Sequence, residues 1–119
     1  MTGHSPISEA QERFRQAVSA HWTAIHNGTT QEADKHTDAA NAQVAQWDAQ
    51  GTTGDVLLPL LAEDQTPAVR CAAATYLVDR NHVTEALPVL EALADNDDIG
   101  LVAEDADDAL LRWQRNNAG

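Results

Sequence analysis

Eight carboxylates, Glu91, Asp95, Asp97, Asp98, Glu104, Asp105, Asp107 and Asp108, crowd one stretch, with no basic residue between Arg80 and Arg112. Such a run could ligate calcium, dock a cationic partner, or form a solvated face. Calcium is disfavoured by the spacing. Asp95, Asp97 and Gly100 fall at positions one, three and six of an EF-hand loop, but Ile99 occupies position five and Ala106 stands where the bidentate Glu is needed. Part of the run is ordinary helix electrostatics, since acids favour the positive start of a helix and Arg112 and Arg115 stand at its end. A pair such as Asp108 with Arg112 offsets little of the charge, an exposed pair four residues apart being worth about 0.3–0.5 kcal/mol.

Nucleophiles and metal ligands give a weaker signal. Cys71 is alone in an alanine-rich segment with no histidine nearby in sequence, which predicts a buried, inert thiol. Ser5, Ser8 and Ser19 lie in no Gly-x-Ser-x-Gly elbow, and Gly51-Thr52-Thr53-Gly54 lacks the lysine of a phosphate loop. Glu32 and His36, one turn apart, offer two metal ligands without a third. His21 is expected to pack half-buried against a backbone or carboxylate partner, and Trp22, Trp47 and Trp113 to anchor the core. These patterns predict no catalytic residue, no metal and no cofactor.

The whole chain, 119 residues with 19 acids against 7 Lys plus Arg, has a net charge of -12, which argues against binding nucleic acid or an anionic membrane surface. Residues 1–50 carry six acids and three bases, whereas residues 51–119 carry thirteen and four. With 43% apolar residues the chain can still bury a core. A single cysteine excludes a disulfide framework within the chain, and no charged start leads into an apolar run. The longest apolar stretch, residues 56–62, contains Pro59 and is too short to span a bilayer. The expectation is a soluble, cytoplasmic protein.

The elements that must position these residues are all helical, because apolar positions recur at three and four rather than alternating. Over residues 8–27, Phe14, Val18, Trp22 and Ile25 share one face; over residues 30–49, Ala33, His36, Ala40, Val44 and Trp47 do. Ser8 with Gln11 and Thr29 with Glu32 are placed as capping boxes, and Gly28 suits the left-handed position between the helices of an antiparallel hairpin. An apolar helix is expected over residues 55–63. Thr66-Pro67 then starts the next, whose core stripe is Val69, Ala72, Ala73, Tyr76 and Leu77. Opposite that stripe stand Cys71, Ala74, Thr75 and Val78, none of them charged. Residues 83–115 repeat the pattern: Leu57-Leu58-Pro59-Leu60-Leu61 returns as Ala86-Leu87-Pro88-Val89-Leu90, about 30 residues on. In the last helix Val102, Ala106, Ala109, Leu110 and Trp113 face inward, while Glu104, Asp108, Leu111 and Arg115 face outward. The prediction is one all-α domain over residues 1–119: a hairpin (8–49), then two helical repeats (55–78 and 83–115), stacked as an array of about six helices.

Leu57-Leu58-Pro59-Leu60-Leu61, Asp64, Pro67, Val69-Arg70 and Ala72-Ala73 resemble a HEAT repeat, in which a turn aspartate supports an arginine of the second helix. That resemblance implies an Asp64–Arg70 bridge. Val69-Arg70-Cys71-Ala72-Ala73, residues 86–93, Gly100, Ala106, Leu110 and Trp113 further resemble a small bacterial HEAT-like family of formally unknown function. Its members are often encoded beside secreted polymorphic toxins and are suspected to be their immunity proteins. Together with the acid excess, the absence of catalytic motifs and the repeat architecture, the resemblance leads to the expectation of a non-enzymatic inhibitor that occludes a toxin domain. Asp97, Asp98, Glu104, Asp105 and Asp108 would steer it onto a basic cleft, with Leu111 as an apolar anchor. The alternative is an adaptor that binds a peptide or helix of a host-cell protein in a groove around Ala74, Thr75 and Val78, a surface that is either exposed in this way or covered by the first helix pair.

Overall fold

A computed structural model describes residues 6–117. The fold is all-α: α1 (Pro6–His26), α2 (Thr30–Gln50), α3 (Thr53–Leu57), a 3-10 turn (Leu58–Leu61), α4 (Pro67–Val78), α5 (Val83–Ala94), a second 3-10 turn (Asp97–Ile99) and α6 (Leu101–Asn117). There is no strand among the described residues. The chain divides into two compact units, one ending at Val56 and the other beginning at Leu57.

In the first unit α1 and α2 form the hairpin that their apolar periodicity predicts. Phe14, Ala17, Val18 and Ala24 of α1 are buried, as are Ala33, Ala40, Val44 and Trp47 of α2. The Phe14 and Trp47 rings meet at 6.0 Å, tilted by 51°, an arrangement that aromatic quadrupoles favour. Gly28 takes φ +75 at the corner, and Thr29 N–H returns to the Ala24 carbonyl at 2.9 Å. His21 Nδ1 lies 3.0 Å from the Ala33 carbonyl and 2.9 Å from the Thr37 hydroxyl, so a proton on Nδ1 is shared between two oxygens of α2. This is the backbone-bonded, half-buried histidine expected at that position.

Both capping boxes are corrected. α1 begins at Pro6, which puts Ser8 inside the helix, and the Gln11 amide instead donates to the Val56 carbonyl at 3.1 Å, tying α1 to α3. Thr29 does precede α2, but its hydroxyl donates backwards to the Ala24 carbonyl at 3.0 Å, and Glu32 pairs with Lys35. The tight turn at Gly28 brings the carbonyls ending α1 within reach of Thr29, and they outcompete the N–H groups ahead of it.

The apolar helix expected over residues 55–63 is also corrected. α3 ends at Leu57, and Leu58–Leu61 tighten into a 3-10 turn with Pro59 at its start. Proline lacks an N–H and crowds the carbonyl four residues back, and the chain turns extended at Ala62 before regular α-geometry can resume. The same residue type in the second copy has another outcome. α5 runs straight through Pro88, because Ala86, Leu90 and Leu93 continue its buried stripe on both sides of the proline.

α4 is started by Thr66, whose hydroxyl accepts from Val69 N–H at 3.3 Å, followed by Pro67, as expected. Arg70 does not bridge Asp64. Its Nε donates to the Leu61 carbonyl at 3.0 Å, capping the end of the 3-10 turn, and the Asp64 carboxylate accepts from Gln65. α4 contacts the first 3-10 turn, α5 and α6; α5 in turn contacts α6 and touches the 3-10 turn. First elements thus meet each other and second helices meet each other, the contact pattern of two stacked helical pairs.

Two stability changes follow. Phe14 is fully buried, so Phe14→Ala should cost about 3–5 kcal/mol in urea unfolding of the hairpin. Pro88 is exposed inside a regular helix, so Pro88→Ala, which restores the missing N–H, should raise the unfolding midpoint and add about 1–3 kcal/mol.

Candidate interaction face

α6 is built as a two-sided helix. Ala103, Ala106, Ala109 and Leu110 are buried and Val102 and Trp113 half-buried, close to the inward stripe that its spacing predicts. At 100° per residue, Leu101, Glu104, Asp105, Asp108, Leu111, Arg112 and Arg115 occupy the opposite side, and all of them are exposed. Leu101 and Leu111, each 49% exposed, are the exposed large apolar side chains among the described residues. They sit about 15 Å apart along the helix axis, with carboxylates between them.

The proposed contact residues divide between two open hollows. Asp105, Asp108 and Leu111 share one with Arg112, Gln114 and Arg115. Asp97 and Glu104 share the other with Leu101, Asp107, Ala94, Gly100 and Ala103. Asp98 lies exposed in the 3-10 turn before α6, where Asn96 Oδ1 accepts its N–H at 3.0 Å. Gly100 at φ +60 and ψ -128 reverses the chain into α6, a backbone conformation essentially reserved for glycine. Leu101 is not among the contact residues that the sequence pattern singles out, because it stands at the very start of the helix. Its spacing carries the signal all the same, since it lies seven residues before Asp108 and therefore on the same side.

Thr75 and Val78 do not line an open groove. Val78 is buried, and Thr75 is half-buried with its hydroxyl donating to the Cys71 carbonyl at 2.8 Å. They border only a crevice of about 40 Å³ shared with Asp79, Ala109, Arg112 and Asn116. α6 fills the uncharged side of α4 from within the unit, which leaves no room there for a peptide or helix.

That packing also determines the chemistry of Cys71, which is 1% exposed. Its Sγ lies 3.8 Å from Asp105 Oδ2 and 4.0 Å from the Val102 carbonyl. Burial pushes the thiol up to about 12; the negative Asp105 adds to the rise and the Thr75 hydroxyl opposes it. A thiol of that kind holds no thiolate for attack or ligation at neutral pH. Burial likewise raises the Tyr76 phenol above its usual range, and Arg80, 5.5 Å above the ring centre, works against the rise. His36 borders a separate hollow with Glu32, Thr29, Asn27, Ser19 and Gln16. No group of three or more metal-ligating side chains comes together among the described residues. Among those residues, too, no helix is long and apolar enough to cross a membrane.

Comparison with protein families, curated proteins and solved structures found no match for this chain.

The position of Cys71 predicts that the folded protein resists alkylation by iodoacetamide at pH 8 and reacts fully in urea; rapid labelling of the folded form would contradict the burial. The sign of the pH dependence follows. The unfolded thiol ionises near its ordinary value of 9.0 and the folded one only near 12, so between them the unfolded state holds fewer protons. Cys71 should therefore lower stability progressively as the pH rises through that window, read as the difference between the native chain and Cys71→Ala.

Proposed function

We propose that this protein is an immunity protein: it binds a cognate secreted bacterial toxin domain in the cytoplasm and blocks it by occlusion, without chemistry of its own. The observation that carries this reading is the outer side of α6, where exposed carboxylates lie between two exposed leucines. Exposed charged side chains speed and orient encounter, whereas apolar side chains that become buried in a contact supply much of its energy. Leu101 and Leu111 can serve as the anchors. Asp97, Asp98, Glu104, Asp105 and Asp108 can serve as the charges. A toxin acting on nucleic acid or nucleotides needs a cationic cleft for its substrate, and an acidic helix is a competitor for that cleft.

The HEAT-like resemblance supports the same reading. The adaptor alternative loses its support with the burial of Val78.

Expression of the neighbouring open reading frame tests the proposal. Alone it should arrest growth, and co-expression with this protein should restore it; a harmless neighbour, or one that stays lethal, overturns the reading. With purified partners, Glu104→Lys combined with Asp108→Lys should slow association at low salt at least tenfold and change dissociation less. Unchanged association rates would exclude steering by α6.

A further inference from the structure

The end of α6 carries a symmetry that toxin binding does not require. Asp105 and Arg115 are centred on residue 110, and so are Asp108 and Arg112. Two opposite-charge pairs are therefore nested about one midpoint, with Leu111 beside it. All four charged side chains are exposed and, at 100° per residue, fall within a sector of about 80°. They line one open hollow together with Leu111 and Gln114.

Among the described residues none of these four forms an ion pair, and the Asp108–Arg112 pair expected from their spacing is not made. The Asp105 carboxylate accepts only a long contact from the Cys71 thiol, at 3.8 Å. Elsewhere in the chain, the exposed acid–base pairs Glu12–Arg15 and Glu32–Lys35 do close, at 3.0 and 3.2 Å.

We propose that this half of α6 is a self-association face whose occupant is a second copy of the same chain. A two-fold axis beside residue 110 sets two α6 helices antiparallel. Each Asp108 then meets Arg112 of the second copy, each Asp105 meets its Arg115, and the two Leu111 side chains meet near the axis. A contact related by a two-fold axis must be self-complementary, and a helix with acids before a midpoint and bases placed equally beyond it satisfies that condition. Charge complementarity argues for a second copy as the occupant, because that copy offers an opposite charge to each of Asp105, Asp108, Arg112 and Arg115. One helix face is a small contact, so the dimer is weak, with a dissociation constant on the order of 100 µM. It covers Leu111, so self-association and toxin binding through Leu111 exclude each other. The dimer needs only this chain, so its failure would leave the toxin proposal standing.

Sedimentation velocity of the purified full chain across a concentration series at physiological salt tests it. The native chain should shift toward dimer as concentration rises. Asp108→Arg and Arg112→Asp should each weaken the dimer at least tenfold, with helix content unchanged by circular dichroism. Mixed in equal amounts, these two variants should dimerise again, since each then offers the charge that the other lacks. Leu111→Glu, placed near the axis, should abolish association in both the native chain and the mixture. A native chain that stays monomeric up to about 1 mM, well above the expected constant, overturns the proposal. So does a dimer indifferent to both charge reversals, or a mixture that fails to recover.

Discussion

The second unit depends on one constraint: α4 has no charged side chain from Cys71 to Val78 and must be covered on opposite sides. Val69, Ala73 and Leu77 are buried along one side, and Cys71, Ala74 and Val78 along the other. A helix of twelve residues with that composition is stable only as the centre of something. The first 3-10 turn, α5 and α6 all meet it. The covering helix α6 presents mainly alanines inward, which leaves its charged residues nowhere to go but outward. The acidic surface is thus a consequence of how α4 is buried as well as a property of composition.

Most of the helical framework was legible in the sequence because burial of periodic apolar side chains drives folding most strongly, and its pattern is local in the chain. Phe14, Val18, Val44 and Trp47 lie where their spacing puts them, and Gly28 has the positive φ its position requires. What was not legible depends on choices between partners of similar strength. Thr29 could accept from its own helix or donate to the preceding one, and only the geometry of the corner decides. Gln11 could close a local box or reach Val56, forty-five residues away. Arg70 could pair with Asp64 or cap Leu61. Hydrogen bonds of this kind differ by little in net energy, so sequence patterns alone do not rank them.

The two prolines show the same dependence on context. Pro59 and Pro88 occupy equivalent places in two copies of one motif, yet one stands in a 3-10 turn and the other inside an α-helix. A proline's local penalty is similar in both places, and the difference lies in whether buried side chains continue beyond it. The candidate face was legible in its charges and in Leu111, whereas the groove around Thr75 and Val78 was not real. Absence of charge on one side of a helix announces burial, and the neighbour that covers it here lies some thirty residues further along the chain.

The division of α6 into an alanine side and a charged side also governs how this protein can change over generations. Substitutions at Ala103, Ala106 or Ala109 enlarge side chains where there is no space, so they are removed by loss of folding. Substitutions at Glu104, Asp108, Leu111 or Arg112 alter a solvent-facing surface and leave the core intact. The outer surface can therefore change one side chain at a time on a scaffold that stays fixed.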